Sequence, residues 1–115
     1  MNNIRKAKLT GVLINEPIEM IEAFKDNIPL LEKDLSDIGI DLNLPLYEVE
    51  IIPLNEMEKE DGFQITDFPM MKLIANNVSN GKFYLGDVYY GIIDSIPVIA
   101  HQWDFTGSAF YTNKV

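Results

Sequence analysis

The one histidine of the chain is the first candidate for catalytic chemistry, because its imidazole titrates near neutral pH. It is His101, and Ser95, Ser108 and Asp104 lie near it in the sequence. A serine nucleophile needs such a base, itself oriented by a carboxylate. Neither serine sits in the Gly-x-Ser-x-Gly turn that exposes the nucleophile of an α/β-hydrolase. His101 is therefore predicted to be a structural or surface residue, and no catalytic residue is assigned.

The aspartates between residues 34 and 41 are the strongest candidates for a metal site. An EF-hand calcium loop requires oxygen ligands at positions 1, 3 and 5, and glutamate at position 12. Counted from Asp34, position 5 is Ile38 and position 12 is Pro45, so the pattern fails. A zinc site is usually built from cysteine and histidine, whereas this chain has no cysteine and one histidine. No metal is expected.

Phosphate-binding motifs are the third candidate for chemistry. Gly81, Gly86 and Gly91 recur every five residues, which matches neither the dinucleotide-binding pattern nor the P-loop. No basic residue follows them to neutralise a phosphate. These glycines are predicted to separate short strands, and no cofactor is expected.

Negative charge is concentrated in one part of the chain. The formal net charge is −9, and 14 of the 18 carboxylates lie between residues 16 and 61, where only three lysines oppose them. Such a field repels nucleic acid and anionic membranes and attracts basic surfaces. The predicted partner is a basic protein, of the nucleic-acid-binding or nuclease kind, with no direct contact to nucleic acid or membrane.

Two groups of carboxylates are predicted to contact that partner. A helix is predicted to begin at Glu16 and to end before Pro29, with an apolar stripe at Ile21, Phe24 and Ile28 and carboxylates on the opposite side. Carboxylates three or four residues apart on a helix are separated by about 4.5 or 6 Å along its axis. That is within a factor of two of the phosphate spacing along one DNA strand. The predicted contact residues are Glu19, Glu22, Asp26, Glu56, Glu58, Glu60 and Asp61.

Aromatic residues are concentrated in the last third of the chain. Proteins that stack nucleic-acid bases combine such rings with many basic residues, whereas only Lys82 and Lys114 lie nearby. The aromatic rings are therefore predicted to pack in the core and across neighbouring strands, with Trp103 mostly buried. An exposed patch of them would instead bind a protein.

The length and composition predict one domain that folds without disulfides. A chain of 115 residues fits a single domain, here 1–115, and its 47% hydrophobic content supports a packed core. The absence of cysteine fits the reducing cytoplasm. The basic N-terminus leads into a run of only three apolar residues, at 12–14, whereas a signal peptide needs about 7–15 and a membrane span about 20. The protein is predicted to be cytoplasmic.

Periodicity and turn residues predict the elements that position these side chains. Helices are expected from Glu16 to Ile28, from Pro29 to Ile38 with Gly39 as the C-terminal cap, and at 70–78. Strands are expected at 8–14, 46–52, 63–68, 82–85, 87–93, 96–103 and 108–112, with a tight turn at Asp94-Ser95. The order is roughly β-α-α-β-β-α-β-β-β. The predicted fold is a single α+β domain, a mainly antiparallel sheet with two or three helices on one face. It combines an acidic helix-rich part, 16–61, with an aromatic β-rich part, 82–112.

Together these features predict a non-enzymatic acidic inhibitor that mimics nucleic acid and binds the basic surface of a nucleic-acid-handling protein. An inhibitor of a host defence system encoded by a phage or mobile element fits this description, as does an immunity protein for a nuclease toxin. Two alternatives remain open. One is a small enzyme or ligand-binding domain that uses the β-rich C-terminal half with His101 at its polar centre. The other is an accessory subunit that docks through the aromatic sheet.

Overall fold

Six antiparallel strands form one sheet in the computed structural model, and two short helices pack on it. The structure describes residues 6–13, 18–26, 30–53, 65, 68, 70–79, 81, 84–104 and 107–113, with the backbone alone at 13, 18–21 and 30–32. The elements in chain order are β1 Ala7–Leu13, α1 Ile18–Lys25, α2 Leu30–Ile38, β2 Tyr47–Ile51, β3 Lys72–Ser79, β4 Tyr84–Ile93, β5 Ile96–Gln102 and β6 Ser108–Thr112.

The strand order across the sheet is β1-β2-β6-β5-β4-β3. The last four strands form a meander in which each strand pairs with the next, and β2 lies beside β6 with β1 at the edge. This architecture confirms the predicted α+β class with an antiparallel sheet. Neither described helix, at 8 and 9 residues, is long and apolar enough to cross a membrane.

The structure contains the helix cap and the tight turn that the sequence predicts. Gly39 ends α2 with φ +97°, and the Ile40 N–H donates to the Leu35 carbonyl at 2.8 Å, which is the Schellman arrangement. Asp94 and Ser95 have φ of 52° and 67°, the left-handed pair of a two-residue type I′ hairpin turn. The predicted helix cap at Gly39 and the predicted hairpin turn at Asp94-Ser95 are therefore both confirmed.

The predicted helix at 70–78 is wrong, because residues 72–78 belong to β3. Met71, Ile74 and Val78 recur at helical spacing, but the segment pairs along β4 instead. The register shifts three times, and Asn77 takes a left-handed φ of 51°. These irregularities bury Val78 while leaving Leu73 48% exposed. A short apolar run cannot be assigned from periodicity alone, and pairing with β4 decided it.

The runs 82–85 and 87–93 are predicted as separate strands but belong largely to one strand, β4, which continues through Gly86. Most of the predicted strand at 63–68 lies outside the described residues. Of its two described members, Phe68 donates its N–H to the Ile65 carbonyl at 2.9 Å, an i to i+3 bond that belongs to a turn.

Apolar side chains cover both faces of the sheet. On one face, Ala23 and Phe24 of α1 and Leu35 of α2 pack against Val88 and Ile99. On the other face, a second cluster contains three side chains from the segment before β3, packed on residues of β4, β5 and β6. These three residues are Ile65, Phe68 and Met71. The sequence predicts partial exposure of this second face, which these three side chains instead help to cover.

Phe68 should contribute more to stability than its exposed neighbour Met70. Its ring is 1% exposed and stacks on Phe110 at a centroid distance of 5.5 Å, whereas Met70 is 43% exposed. We expect Phe68→Ala to lower the free energy of unfolding by about 3–5 kcal/mol and Met70→Ala by less than about 1 kcal/mol. Urea denaturation followed by circular dichroism measures both. Equal effects would contradict the packing of this segment on the sheet.

Candidate functional site

Helix α1 separates apolar from acidic side chains. Ala23 and Phe24 are fully buried against the sheet, while Glu22 and Asp26 are exposed. The backbone of Glu19 belongs to the same helix, and its side chain lies outside what the structure describes. The other predicted contact residues, at 56, 58, 60 and 61, lie outside the described residues altogether.

The described carboxylates Glu22 and Asp26 form no ion pair with a described cation. The nearest lysine in sequence, Lys25, donates from Nζ to Oδ1 of Asn43 at 3.0 Å. The ion pairs within the described ranges instead involve β1 and the chain just before it. There Lys8 lies 3.5 Å from Glu50, and Lys6 lies 4.0 Å from Asp94. The outer side of α1 therefore presents negative charge that the described part of the chain does not neutralise.

His101 lies on β5 beneath α1, where it is 3% exposed. The ring of Phe24 meets it edge-on at a centroid distance of 6.0 Å. Nδ1 lies 3.1 Å from the Leu85 carbonyl, and Nε2 lies 3.4 Å from the Tyr111 hydroxyl. Because a carbonyl only accepts hydrogen bonds, Nδ1 carries the proton and Nε2 accepts from Tyr111.

Burial keeps the His101 ring neutral. Loss of hydration lowers its pKa from 6.5 to about 4, and the hydrogen bond to the Leu85 carbonyl opposes this only in part. The imidazole is therefore uncharged at pH 7 and fixed between three elements. This gives His101 a structural role in the core.

A bulge in β4 lets the Leu85 carbonyl reach His101. Gly86 has φ +74° where the register between β3 and β4 shifts. A Cβ at Gly86 would overlap the Gln102 carbonyl oxygen and lie 2.8 Å from Cα of Trp103. Only glycine allows both this conformation and this close approach of two backbones.

An aromatic pocket of about 270 Å³ opens beside His101. We use "aromatic pocket" for the space lined by Tyr84, His101, Trp103 and Tyr111. His101 and Tyr111 are buried, with ring centroids 5.8 Å apart, whereas Tyr84 is 52% and Trp103 43% exposed. The Trp103 ring lies 5.0 Å from the His101 ring. Two half-exposed aromatic rings thus line an opening above a buried imidazole and phenol.

The predicted burial of Trp103 is wrong. Trp103 follows the last residue of β5, and its N–H donates to the Gly107 carbonyl at 2.9 Å. A Cβ at Gly107 would overlap Nε1 of Trp103, so the indole packs against bare backbone there. Because Trp103 lies past the end of β5, its indole packs against Gly107 and stays partly exposed to solvent.

Two carboxylates are neighbours of residues that line the aromatic pocket, although neither belongs to the lining. A Cβ at Gly107 would lie 2.8 Å from Oδ1 of Asp104 and would overlap the Trp103 indole, which places this carboxylate beside the ring. On the other side, Glu48 of β2 is directly opposite Tyr111 of β6. Directly opposed side chains share one face of a sheet and lie about 5 Å apart at Cβ. Each carboxylate is therefore close to one lining ring, Asp104 to Trp103 and Glu48 to Tyr111.

Other features of the described residues favour a ligand less. A larger cavity of about 440 Å³ lies between the C-terminal ends of α1 and α2. Polar groups of its lining already have hydrogen-bond partners. Lys25 donates to the side-chain oxygen of Asn43, and the Asn43 N–H donates to the Asp41 carboxylate. The Asp41 N–H donates to the side-chain oxygen of Asn113. Within the described ranges, no group of three or more acidic, histidine or cysteine side chains is arranged to hold a metal ion.

Removal of the His101 imidazole should change how stability depends on pH. The folded protein excludes a proton that the unfolded chain binds below pH 6.5, so stability falls as the pH drops from 6.5 towards 4. At pH 5 this loss is on the order of 2 kcal/mol. His101→Gln should cost about 1–3 kcal/mol at pH 7, and the gap to wild type should narrow at pH 5. Urea titrations at both pH values test this; a constant gap would show that His101 is not held neutral.

Replacement of Gly86 by alanine should be more harmful than replacement of Gly81. Both residues have positive φ, but a Cβ at Gly81 meets nothing within 4 Å, whereas one at Gly86 overlaps backbone. Gly81→Ala should cost about 1–2 kcal/mol from backbone conformation alone. Gly86→Ala should exceed this because Gln102 must move. Equal losses of unfolding free energy in denaturation experiments would contradict the close approach of β4 to β5.

No family model, curated protein or solved structure matches this chain. The function must therefore be argued from its own side chains. Two surfaces on the same side of the sheet are available for that argument. One is the acidic outer side of α1, and the other is the aromatic pocket, which adjoins α1 through the contact between Phe24 and His101.

Proposed function

We propose that this protein is a non-enzymatic acidic inhibitor that binds the basic surface of a nucleic-acid-handling protein and mimics nucleic acid there. The observation that carries the proposal is the pair Glu22 and Asp26. Glu22 is exposed on a helix whose other side is buried, Asp26 is exposed in the turn directly after Lys25, and neither pairs with a described cation. Because α1 is anchored through Phe24, these charges are held on a fixed support rather than on a mobile tail.

The spacing of these carboxylates suits a surface that binds phosphates. The Asp26 N–H, just past the end of α1, donates to the Glu22 carbonyl at 2.8 Å, as in a helical turn, so the two residues are about 6 Å apart along the helix axis. Phosphates along one DNA strand rise about 3.4 Å per nucleotide. Two carboxylates can therefore take the place of near-neighbour phosphates opposite lysine or arginine side chains of the partner. Glu19 and the carboxylates at 56, 58, 60 and 61 are proposed as further contacts.

The electrostatics favour a charged partner over a purely structural use of the acidic residues. A formal net charge of −9 on 115 residues destabilises the folded state through self-repulsion. A basic partner relieves that repulsion and is attracted over distances of about a Debye length, some 8 Å at physiological salt. Binding of this kind is fast and weakens as salt rises. A cytoplasmic inhibitor from a phage or mobile element and a nuclease immunity protein are two settings for this activity.

The half-exposed Trp103 favours a second candidate function, an accessory subunit that docks through the aromatic residues. Tryptophan and tyrosine side chains that bury fully on binding dominate the affinity of protein interfaces. Such docking is driven by apolar burial and depends little on salt. Salt dependence therefore distinguishes the two functions.

Charge neutralisation on α1 should weaken partner binding. The test variant is Glu22→Gln with Asp26→Asn. The matched control is Glu50→Gln with Asp94→Asn, which removes the same amount of charge away from α1. Glu50 lies on β2, and Asp94 lies in the turn between β4 and β5. Each immobilised protein is incubated with native lysate and eluted with stepped salt. A partner should elute from wild type and from the control at the same salt step. Its affinity for the α1 variant should fall roughly tenfold at low salt, since exposed ion pairs contribute about 0.5–1 kcal/mol each.

The eluted partner should bind DNA or RNA, and wild-type protein should compete with that binding. Equal retention on the α1 variant and the control would contradict the assignment of α1. Retention that does not change with salt would favour docking through the aromatic residues instead. A partner with no affinity for nucleic acid would contradict the mimicry itself.

A further inference from the structure

We propose that the aromatic pocket binds the guanidinium group of an arginine side chain that projects from the basic partner. This inference rests on the proposed function, because it names the residue type that anchors the same interface. The lining residues are Tyr84, His101, Trp103 and Tyr111. None of the predicted contact residues lies among them, so this is a second, separate part of the interface.

The ring faces provide the attraction for a cation. Trp103 and Tyr84 are 43% and 52% exposed, so their rings are accessible to a side chain of another protein. A cation within about 6 Å of an aromatic centroid is attracted by the negative ring face, and tryptophan attracts most strongly. The centroids of Trp103 and His101 are 5.0 Å apart, and those of His101 and Tyr111 are 5.8 Å apart. One group in this pocket can therefore contact several rings together.

The buried side of the pocket does not repel a cation. His101 donates from Nδ1 to the Leu85 carbonyl, and its Nε2 accepts from Tyr111, which leaves the ring without a positive charge. The described lining contains no lysine or arginine. A guanidinium group would thus meet aromatic faces and a neutral imidazole.

The flanking carboxylates favour arginine over lysine. Asp104 lies beside the Trp103 indole, and Glu48 lies opposite Tyr111. A guanidinium group is planar, stacks on aromatic rings and offers five N–H donors in a fixed fork, so it can stack and bind carboxylates together. A lysine ammonium is a compact, strongly hydrated charge that loses more hydration in such a place. The combination of rings and edge carboxylates matches the guanidinium group.

The size and position of the pocket suit one side chain. Its volume of about 270 Å³ lies below the range of about 300–1,000 Å³ for drug-sized ligands. It adjoins α1, because Phe24 of α1 contacts His101 at the buried side of the pocket. A basic surface seated on the carboxylates of α1 would therefore bring neighbouring side chains to the pocket. This arrangement gives the interface an aromatic anchor with charged residues around it.

The single tryptophan of the chain allows a direct test without the partner. Trp103 is the only source of tryptophan fluorescence, and its ring lines the pocket. N-acetyl-arginine amide is titrated into the protein at constant ionic strength, with N-acetyl-citrulline amide as its uncharged analogue and N-acetyl-lysine amide as the other cation. Free N-acetyl-tryptophan amide corrects for collisional quenching. The arginine compound should change the fluorescence saturably at millimolar concentration, and the other two should bind more weakly by roughly threefold or more.

Two variants and a matched control locate the binding. Tyr84→Ala removes one exposed ring, and Glu48→Gln removes one flanking charge; each should weaken arginine binding by roughly threefold or more. Ile92→Ala is the control, because Ile92 lies on the same strand as Tyr84 and is similarly exposed at 47%. It should leave the titration unchanged. Equal weakening by all three variants would show a general effect on the fold and would overturn the site.

The outcomes distinguish this inference from the proposed function. A linear fluorescence change, or equal binding of the citrulline or lysine compound, overturns the arginine pocket whatever the lysate experiment gives. Saturable arginine binding supports the pocket even where no basic partner is retained on the immobilised protein, and in that case the proposed function alone fails. A partner that binds wild type and Tyr84→Ala equally also overturns the pocket as an interface anchor.

Discussion

The imidazole of His101 lies where four elements of the fold meet, and its burial in neutral form constrains all of them. It is carried by β5, covered by Phe24 of α1, held by the Leu85 carbonyl of β4 and bonded by Tyr111 of β6. A buried polar ring without these partners would cost several kcal/mol. The bulge at Gly86, the seating of α1 and the ring arrangement of the aromatic pocket all follow from satisfying this one group.

The two proposed binding surfaces depend on the same packing. The helix α1 can present Glu22 and Asp26 to solvent because Phe24 fixes its other side against His101. The aromatic pocket lies beside that contact, and the half-exposed Trp103 forms part of its lining. A partner that engages both surfaces would combine long-range charge attraction, which speeds association, with aromatic contacts, which slow dissociation.

Local sequence signals predicted much of the fold. The predictions failed where strand pairing, or the position at which a strand ends, decides the structure. The cap at Gly39 and the turn at Asp94-Ser95 depend on the φ preferences of a few residues, which are legible in sequence. The segment of β3 has apolar residues at helical spacing, yet it forms a strand because pairing with β4 provides partners for its backbone hydrogen-bonding groups. Trp103 alternates in register with buried residues, but β5 ends one residue earlier and the ring turns to the loop at Gly107. The periodicity of a segment does not show which strand it pairs with or at which residue that pairing ends.

The sequence by itself determined the α+β class, the amphipathic character of α1 and the concentration of negative charge, because these depend on residue types and short spacings. Only the tertiary structure decided which side chains form a pocket. Tyr84, His101 and Tyr111 come from β4, β5 and β6, Trp103 directly follows β5, and the pairing of these strands brings the four residues together. Likewise Glu48 is beside Tyr111 only because β2 pairs with β6 across 62 intervening residues of sequence. Contacts between distant segments arise from packing and strand register, which no local pattern encodes.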